Sequence, residues 1–251
     1  MPWHRQSTTH SASFPFNTLN PSAPGVFRQA WGLCHHEPMR VDHVSYAAEK
    51  DGVRATADRL AAQLGVRAVN GGVHPSFGTR NVILPMAHER YVEVVEPLDH
   101  PATDKAPFGQ AVKTACEAGG GWMGWVVRVE DIAAVEQRLD RASDEGHRVF
   151  PDGRRLDWRQ IGVHGLINDP QLPYFIHFLN PELHPSRAVE VEPEVNISGL
   201  TLAGDPARVR EWLGLPADKT STVIDFSFIA PKGNAGLLSV TFDTPAGQIT
   251  I

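Results

Sequence analysis

The sequence is short of several things, and each shortage closes a class of explanation. Only two cysteines, Cys34 and Cys116, occur in 251 residues, far apart and without CxxC spacing. That argues against a disulfide framework or a thiolate zinc site, and it fits a reducing cytoplasm. No run approaches the roughly 18 apolar residues that cross a bilayer. No block of lysine or arginine stands out in a chain of net charge −6, so nucleic acid and anionic membranes are poor partners. A small molecule, or a second copy of the chain in a homodimer, is the expected partner. No GxSxG elbow is present. The glycine run 119–121 does not sit between a strand and a following helix, so no nucleotide cofactor is implied. Cys116 has no helix start or basic neighbour that would make it a nucleophile.

What is present begins with 22 glycines and 20 prolines, enough for many tight turns. Residues 1–38 are rich in Ser, Thr, Pro and His and lack the apolar run of a secretory signal. They read as an unstructured leader, or as an extension ahead of a true start at Met39, which directly precedes the strand-like segment 40–48. His35-His36 in this stretch resembles a metal pair only superficially.

From residue 39 the chain repeats itself. Residues 41–48 alternate as a strand does, Asp51 opens a helix with Val53, Leu60 and Leu64 on one face, and Gly65 ends it. A short element near 66–70, a glycine-rich loop 71–79 and strands at 81–86 and 90–96 complete the unit. The order returns with a strand at 122–129, a helix capped by Asp131, a short strand at 147–150 and strands at 156–167 and 172–179. A clipped third copy runs over residues 195–251. Segments 98–120 and 180–194 read as connectors. The predicted organisation is two βαβββ units at about 39–98 and 121–180, forming one domain over 39–187, followed by a shortened third unit.

This repeat has a histidine in its first strand (Val41-Asp42-His43-Val44) and a glutamate in its fourth (Tyr91-Val92-Glu93-Val94). In both it resembles the vicinal oxygen chelate superfamily, and within it the glyoxalase-like domain proteins. The loop Gly72-Val73-His74-Pro75-Ser76-Phe77-Gly78-Thr79-Arg80-Asn81, the Gly124-Trp125 strand, the strand Leu172-Pro173-Tyr174-Phe175-Ile176 and His184-Pro185 carry the same likeness, which covers residues 40–187. The resemblance implies an α+β fold in which tandem βαβββ modules form curled mixed sheets around a cleft, with helices outside. The period of two along a strand then aims His43, Ser45 and Ala47, and Tyr91, Glu93 and Val95, into the cleft.

The resemblance also implies a metal ligand from the first and fourth strands of each module. Matching the helix starts at Asp51 and Asp131 puts one such position near Gly124, which has no side chain to offer, and sets His177 opposite Glu93. The implied set is His43, Glu93 and His177, suited to Fe, Mn, Ni or Zn with open positions for substrate oxygen. Glu93 and Glu96 are candidate bases, and His164 is a spare ligand. His74, Thr79, Asn81, Trp122, Trp158 and Arg159 are candidate substrate contacts, although a turn, a core or a surface ion pair would also account for them. Two functions follow: a small-molecule lyase, isomerase or dioxygenase with a divalent metal in the cleft, or a non-catalytic protein that binds or sequesters a small molecule there without metal.

Overall fold

The computed structural model describes residues 26–30, 39–189, 194–215, 224–229 and 235–251. Most of the expected leader, with Cys34 and His35-His36, lies outside the described residues. Val26–Ala30, however, is a strand (β1), a departure from the expectation of an unstructured leader.

The two expected modules do not stop at curled sheets around an open cleft. Their eight strands close into one barrel in the order β2-β5-β4-β3-β7-β8-β9-β6. The first module supplies β2 (Met39–Ala47), α1 (Val53–Leu64), β3 (Val69–His74), β4 (Thr79–Met86) and β5 (Arg90–Pro97). The second supplies β6 (Gly121–Val129), α4 (Ile132–Leu139), β7 (Asp144–Val149), β8 (Arg155–Ile161) and β9 (Tyr174–Phe178). Within each module the first strand runs parallel to the last, His43 beside Tyr91 and Val126 beside Tyr174. Antiparallel β2 and β6 close one seam, and a single pair, Val73 with Val149, closes the other. Closure leaves neither module with an unpaired sheet edge.

Alternation along the strands sorts side chains into an outer and an inner core. Outside, Val41, Val44, Val92 and Val94 share a core with the buried face of α1, built from Val53, Ala57, Leu60, Ala61 and Leu64, and the same core runs on through Trp125, Val127 and Phe175. Gly65 ends α1 in the left-handed conformation, φ 71°, as glycine does most cheaply. Helix α1 has no side-chain cap of its own. Its first N–H instead donates to Glu96 Oε2 at 2.9 Å, a carboxylate set against the helix dipole and also paired with Arg80. Glu96 therefore lies outside the barrel and is removed as a candidate base. Helix α4 is capped by Asp131, which accepts from Ala133 N at 2.9 Å.

The expected connector 98–120 holds two helices, α2 (Pro101–Lys105) and α3 (Pro107–Glu117). Phe108, Ala111 and Val112 of α3 join the inner core, so this segment plugs the barrel rather than merely linking modules. The loop expected at 71–79 is strand up to His74. The strand expected at 156–167 ends at Ile161, and α5 (Gly165–Asn168) follows.

The third unit comprises β10 (Asn196–Ala203), α6 (Pro206–Leu213), β11 (Asp225–Ile229), β12 (Gly236–Thr244) and β13 (Gly247–Thr250). With β1 it forms a separate sheet in the order β1-β11-β10-β12-β13. This sheet covers the outer face of β6 and β9. Trp125 meets Phe226, Trp122 meets Phe242, and Trp212 lies against Phe175 while its Nε1 donates to the Pro173 carbonyl at 2.7 Å. Among the described residues no helix is long and apolar enough to cross a membrane.

Candidate functional site

The barrel interior is a cavity of about 30 Å³, the space of a water or two as the structure stands. Aromatic and aliphatic side chains, Phe77, Phe108, Leu156, Trp158, Ile176 and Phe178, make the apolar part of the wall. The polar lining is His43, His74, Asn81, Tyr91, Glu93, Arg148, Gln160 and Tyr174.

His43 is the centre of a buried relay. The pairing of β2 with β6 slips between Val41 and His43. That bulge frees Asp42 from strict alternation and lets its carboxylate turn toward its own neighbour. Asp42 Oδ2 lies 2.8 Å from His43 Nδ1, and Oδ1 lies 3.0 Å from His184 Nε2. The Ser186 backbone N–H donates to His184 Nδ1 at 3.2 Å, so the other nitrogen of His184 carries the proton given to Asp42. By the same logic His43 donates from Nδ1 to the carboxylate and presents a lone pair at Nε2. That lone pair faces the cavity and accepts from the Tyr174 hydroxyl at 3.2 Å. The ring is held from the side by Tyr91, stacked at 4.3 Å.

Burial by itself would raise the Asp42 pKa, but His184 first, and then His43, outweigh it by charge and hydrogen bonding, holding the carboxyl well below the ordinary range. Burial raises both tyrosine hydroxyls well above their usual value, so Tyr174 remains a proton donor at neutral pH.

A second polar group sits on the neighbouring strand β5, where Glu93 pairs with Ser45 of β2. Glu93 accepts from Asn81 Nδ2 at 2.7 Å and from Ser45 Oγ at 3.0 Å, and His74 Nε2 lies 3.8 Å away. Burial disfavours its charge, but the imidazoles of His74 and His43 and these two hydrogen bonds lower its pKa on balance. Burial pushes His74 down to about 4 against the pull of Glu93. At neutral pH it is therefore an uncharged ring that touches Thr79 Oγ1 at 2.9 Å. Gly71 makes room for Asn81: a Cβ there would stand 2.0 Å from Asn81 Oδ1.

Of the residues singled out from sequence, His43, His74, Asn81, Glu93 and Trp158 line this cavity, and Thr79 supports it through His74. The others are elsewhere. His177 is on the opposite face of β9 from Tyr174 and Ile176, its Nδ1 3.2 Å from the Val129 carbonyl. Trp122 is on the outer face, donating to the Ile251 carbonyl at 2.8 Å. Arg159 reaches Ser143 and Glu136 outside the barrel, and His164 is an exposed residue at the start of α5. Cys116 is half-buried, with its thiol pushed up to about 11 by burial, which suits no nucleophile.

Sequence reasoning missed Asp42, Arg148, Tyr174 and His184. Arg148 and Tyr174 had a signal, since Gly146 and Arg148 share the buried face of β7 and Tyr174 shares that of Ile176. Asp42 had none, because its inward turn depends on the bulge.

The donor set does not fit a divalent metal. The strand register makes Val126 and Ile176 the counterparts of His43 and Glu93, and the sequence position near Gly124 is two residues off. The inward positions of β6 and β9 are thus aliphatic, aromatic or glycine. Among the described residues no group of three or more His, Cys, Asp or Glu is arranged to hold a metal ion. His43 and Glu93 are each already engaged by other side chains.

Comparison with known proteins places these features in context. The sequence profile of the glyoxalase-like domain matches residues 41–215. No curated protein matches the chain. A Staphylococcus aureus protein of solved structure, described as hypothetical, superposes with a TM-score of 0.62 at 14% identity, over 81% of this chain and 90% of its own. That likeness shows the fold. Methylmalonyl-CoA epimerase from Mycobacterium tuberculosis matches at a TM-score of 0.37 and 16% identity, over 55% of this chain and 85% of its own.

Proposed function

Because the chain belongs to the glyoxalase-like domain family of the vicinal oxygen chelate superfamily, we propose that its barrel is a small-molecule site performing proton transfer of the isomerase or lyase type. The observation that carries this reading is the Asp42–His43 pair with Nε2 turned to the cavity, where the Tyr174 hydroxyl that a substrate would displace is its hydrogen-bond partner. An imidazole oriented through Nδ1 by a buried carboxylate is a competent general base, and the carboxylate stabilises the imidazolium that forms. His43 takes a proton from a carbon next to a carbonyl. The Tyr174 hydroxyl beside it donates to the oxygen on which charge collects. The proton returns from Nε2 to the same or the adjacent carbon, so no oxidant or co-reactant is consumed. The dioxygenase alternative needs a redox metal, for which the donors do not fit, and it is not carried forward.

The test is deuterium uptake from D2O into a panel of small α-protonated carbonyl compounds, followed by NMR. The wild type should exchange at least one of them with EDTA present. Both His43→Gln and Asp42→Asn should slow that exchange, the former by about 100- to 10,000-fold. Exchange that stops with EDTA and returns with added metal would overturn the reading.

The small cavity, with Phe77, Phe108, Trp158 and Phe178 in its wall, supports a second reading, a non-catalytic binder. It predicts ligand-induced thermal stabilisation that His43→Gln leaves unchanged, with no exchange in any panel member.

A further inference from the structure

One charged group in the barrel has no role in the proton relay. Arg148, on β7, is 2% exposed and faces the cavity. Its Nε has no hydrogen-bond partner, and among the described residues the guanidinium makes no ion pair. The Phe150 ring lies 4.3 Å from its Cζ. Glu93 is near enough to be felt electrostatically yet does not touch it. A buried, unpaired cation costs stability that a folded chain normally avoids. The backbone comes close beside it: at Gly72, φ 140°, a Cβ would stand 2.1 Å from the Val149 carbonyl and 3.3 Å from Cγ of Arg148.

Arg148 also lines an outer cleft of about 280 Å³ beside Asn70, Ile83, His184 and Arg187. It is thus common to the lining of this cleft and of the barrel cavity that His43 faces.

We propose that Arg148 is the anchor for the carboxylate of a small monocarboxylic acid whose remaining atoms reach toward His43 Nε2. This deepens the reading of the barrel as a small-molecule site and rests on it. A planar guanidinium pairs with a planar carboxylate through two parallel hydrogen bonds. One cation matches a single negative charge, and the carboxylate of Glu93 nearby opposes a second. A phosphate dianion would keep a second charge with no partner.

Acetate, pyruvate and lactate, each set against its own amide and against inorganic phosphate at constant ionic strength, test this by calorimetry and thermal shift. At least one carboxylate should bind and raise Tm while its amide and phosphate do not. Arg148→Met should weaken that binding by about 10- to 100-fold, the loss expected for hydrogen bonds to a charged group, with Arg148→Lys in between. Without ligand, Arg148→Met should melt higher than wild type, because an apolar residue replaces an unpaired buried charge. A lower Tm without ligand would make Arg148 a structural residue and overturn the proposal. So would equal binding of the amides, preferential binding of phosphate, or no carboxylate binding at all. His43→Gln separates the two readings. If it abolishes exchange while carboxylates fail to bind, the anchor alone is wrong; if carboxylates bind through Arg148 but exchange persists, the proton-transfer reading is wrong.

Discussion

The two βαβββ modules build matching halves of one barrel and have divided its labour. The first half lines the cavity with His43, His74, Asn81, Tyr91 and Glu93 beside the ring of Phe77, backed by Asp42, Ser45 and Thr79. The second lines it with Leu156, Trp158, Ile176 and Phe178, interrupted by Arg148, Gln160 and Tyr174. At corresponding places in the strand register, Val126 stands where the first half has His43 and Ile176 where it has Glu93. A duplicated fold thus gathers its cavity-lining imidazoles and carboxylate in one half, while the other half gives mostly apolar wall with Arg148, Gln160 and Tyr174 set in it. The family resemblance led to an expectation of ligands from both halves, which this division denies.

The division is broken most directly at the paired first strands. His43→Gln should remove about 100- to 10,000-fold of the exchange rate. Val126→Ala should cost about 1–3 kcal/mol of stability through lost packing, yet leave the rate per folded molecule within a few-fold. Urea melts beside exchange rates would show this, and an equal loss of rate in both variants would end the contrast.

Acid should act chiefly on the first half. The His74 pKa is depressed from 6.5 to about 4, so the unfolded chain binds the proton before the folded one does. Its effect on stability is absent above pH 6.5 and grows as pH falls toward 4, to about 3 kcal/mol of lost stability. Asp42 and Glu93 have lowered values, and their stabilisation is lost only at lower pH, as the carboxylates protonate. His74→Phe should therefore flatten the profile between pH 6.5 and 4 and leave the steeper acid limb. An unchanged slope in that window would show that His74 titrates normally.

One packing device is common to both halves. In each, a glycine on the module's second strand lies under an inward side chain of the next. A Cβ at Gly71 would stand 2.0 Å from Asn81 Oδ1, and one at Gly146 would stand 2.3 Å from Trp158 Nε1. Alanine at either place should cost about 1–3 kcal/mol by overpacking. The functional consequence should differ, since Gly71→Ala displaces the donor to Glu93 whereas Gly146→Ala moves a wall. Exchange rates measured on the folded fraction should fall more in Gly71→Ala.

This contrast also shows what was legible in the sequence. The βαβββ order, the inward aim of His43 and Glu93 and the outward aim of Val44 and Val94 followed from a period of two, because regular strands keep it. Closure of the barrel was not legible, since it depends on Val73 meeting Val149 across 76 positions of chain. His177 was misplaced by a single step of register, which is enough to turn a side chain to the other face. Asp42 was hidden because one bulge overrides alternation.

The smallest effect is expected where the halves are tied at the surface. Glu89 sits in the β4–β5 turn at φ 52°. It accepts from Arg40 of β2, from Arg128 of β6 at 3.4 Å and from Arg187 at 2.6 Å. Burial opposes its charge, but the hydrogen bonds from Arg187 and Arg40 outweigh that and lower its pKa to about 2. The contribution is present above the ordinary glutamate pKa and lost as pH falls toward 2. Because Glu89 and its arginines are partly solvated, water and salt screen most of that shift. Glu89→Gln should lower stability by about 1 kcal/mol or less at low salt, and by less in 1 M NaCl, with no change in exchange rate. A larger loss that salt does not touch would mean that the two halves are held together by this carboxylate rather than by the strands they share.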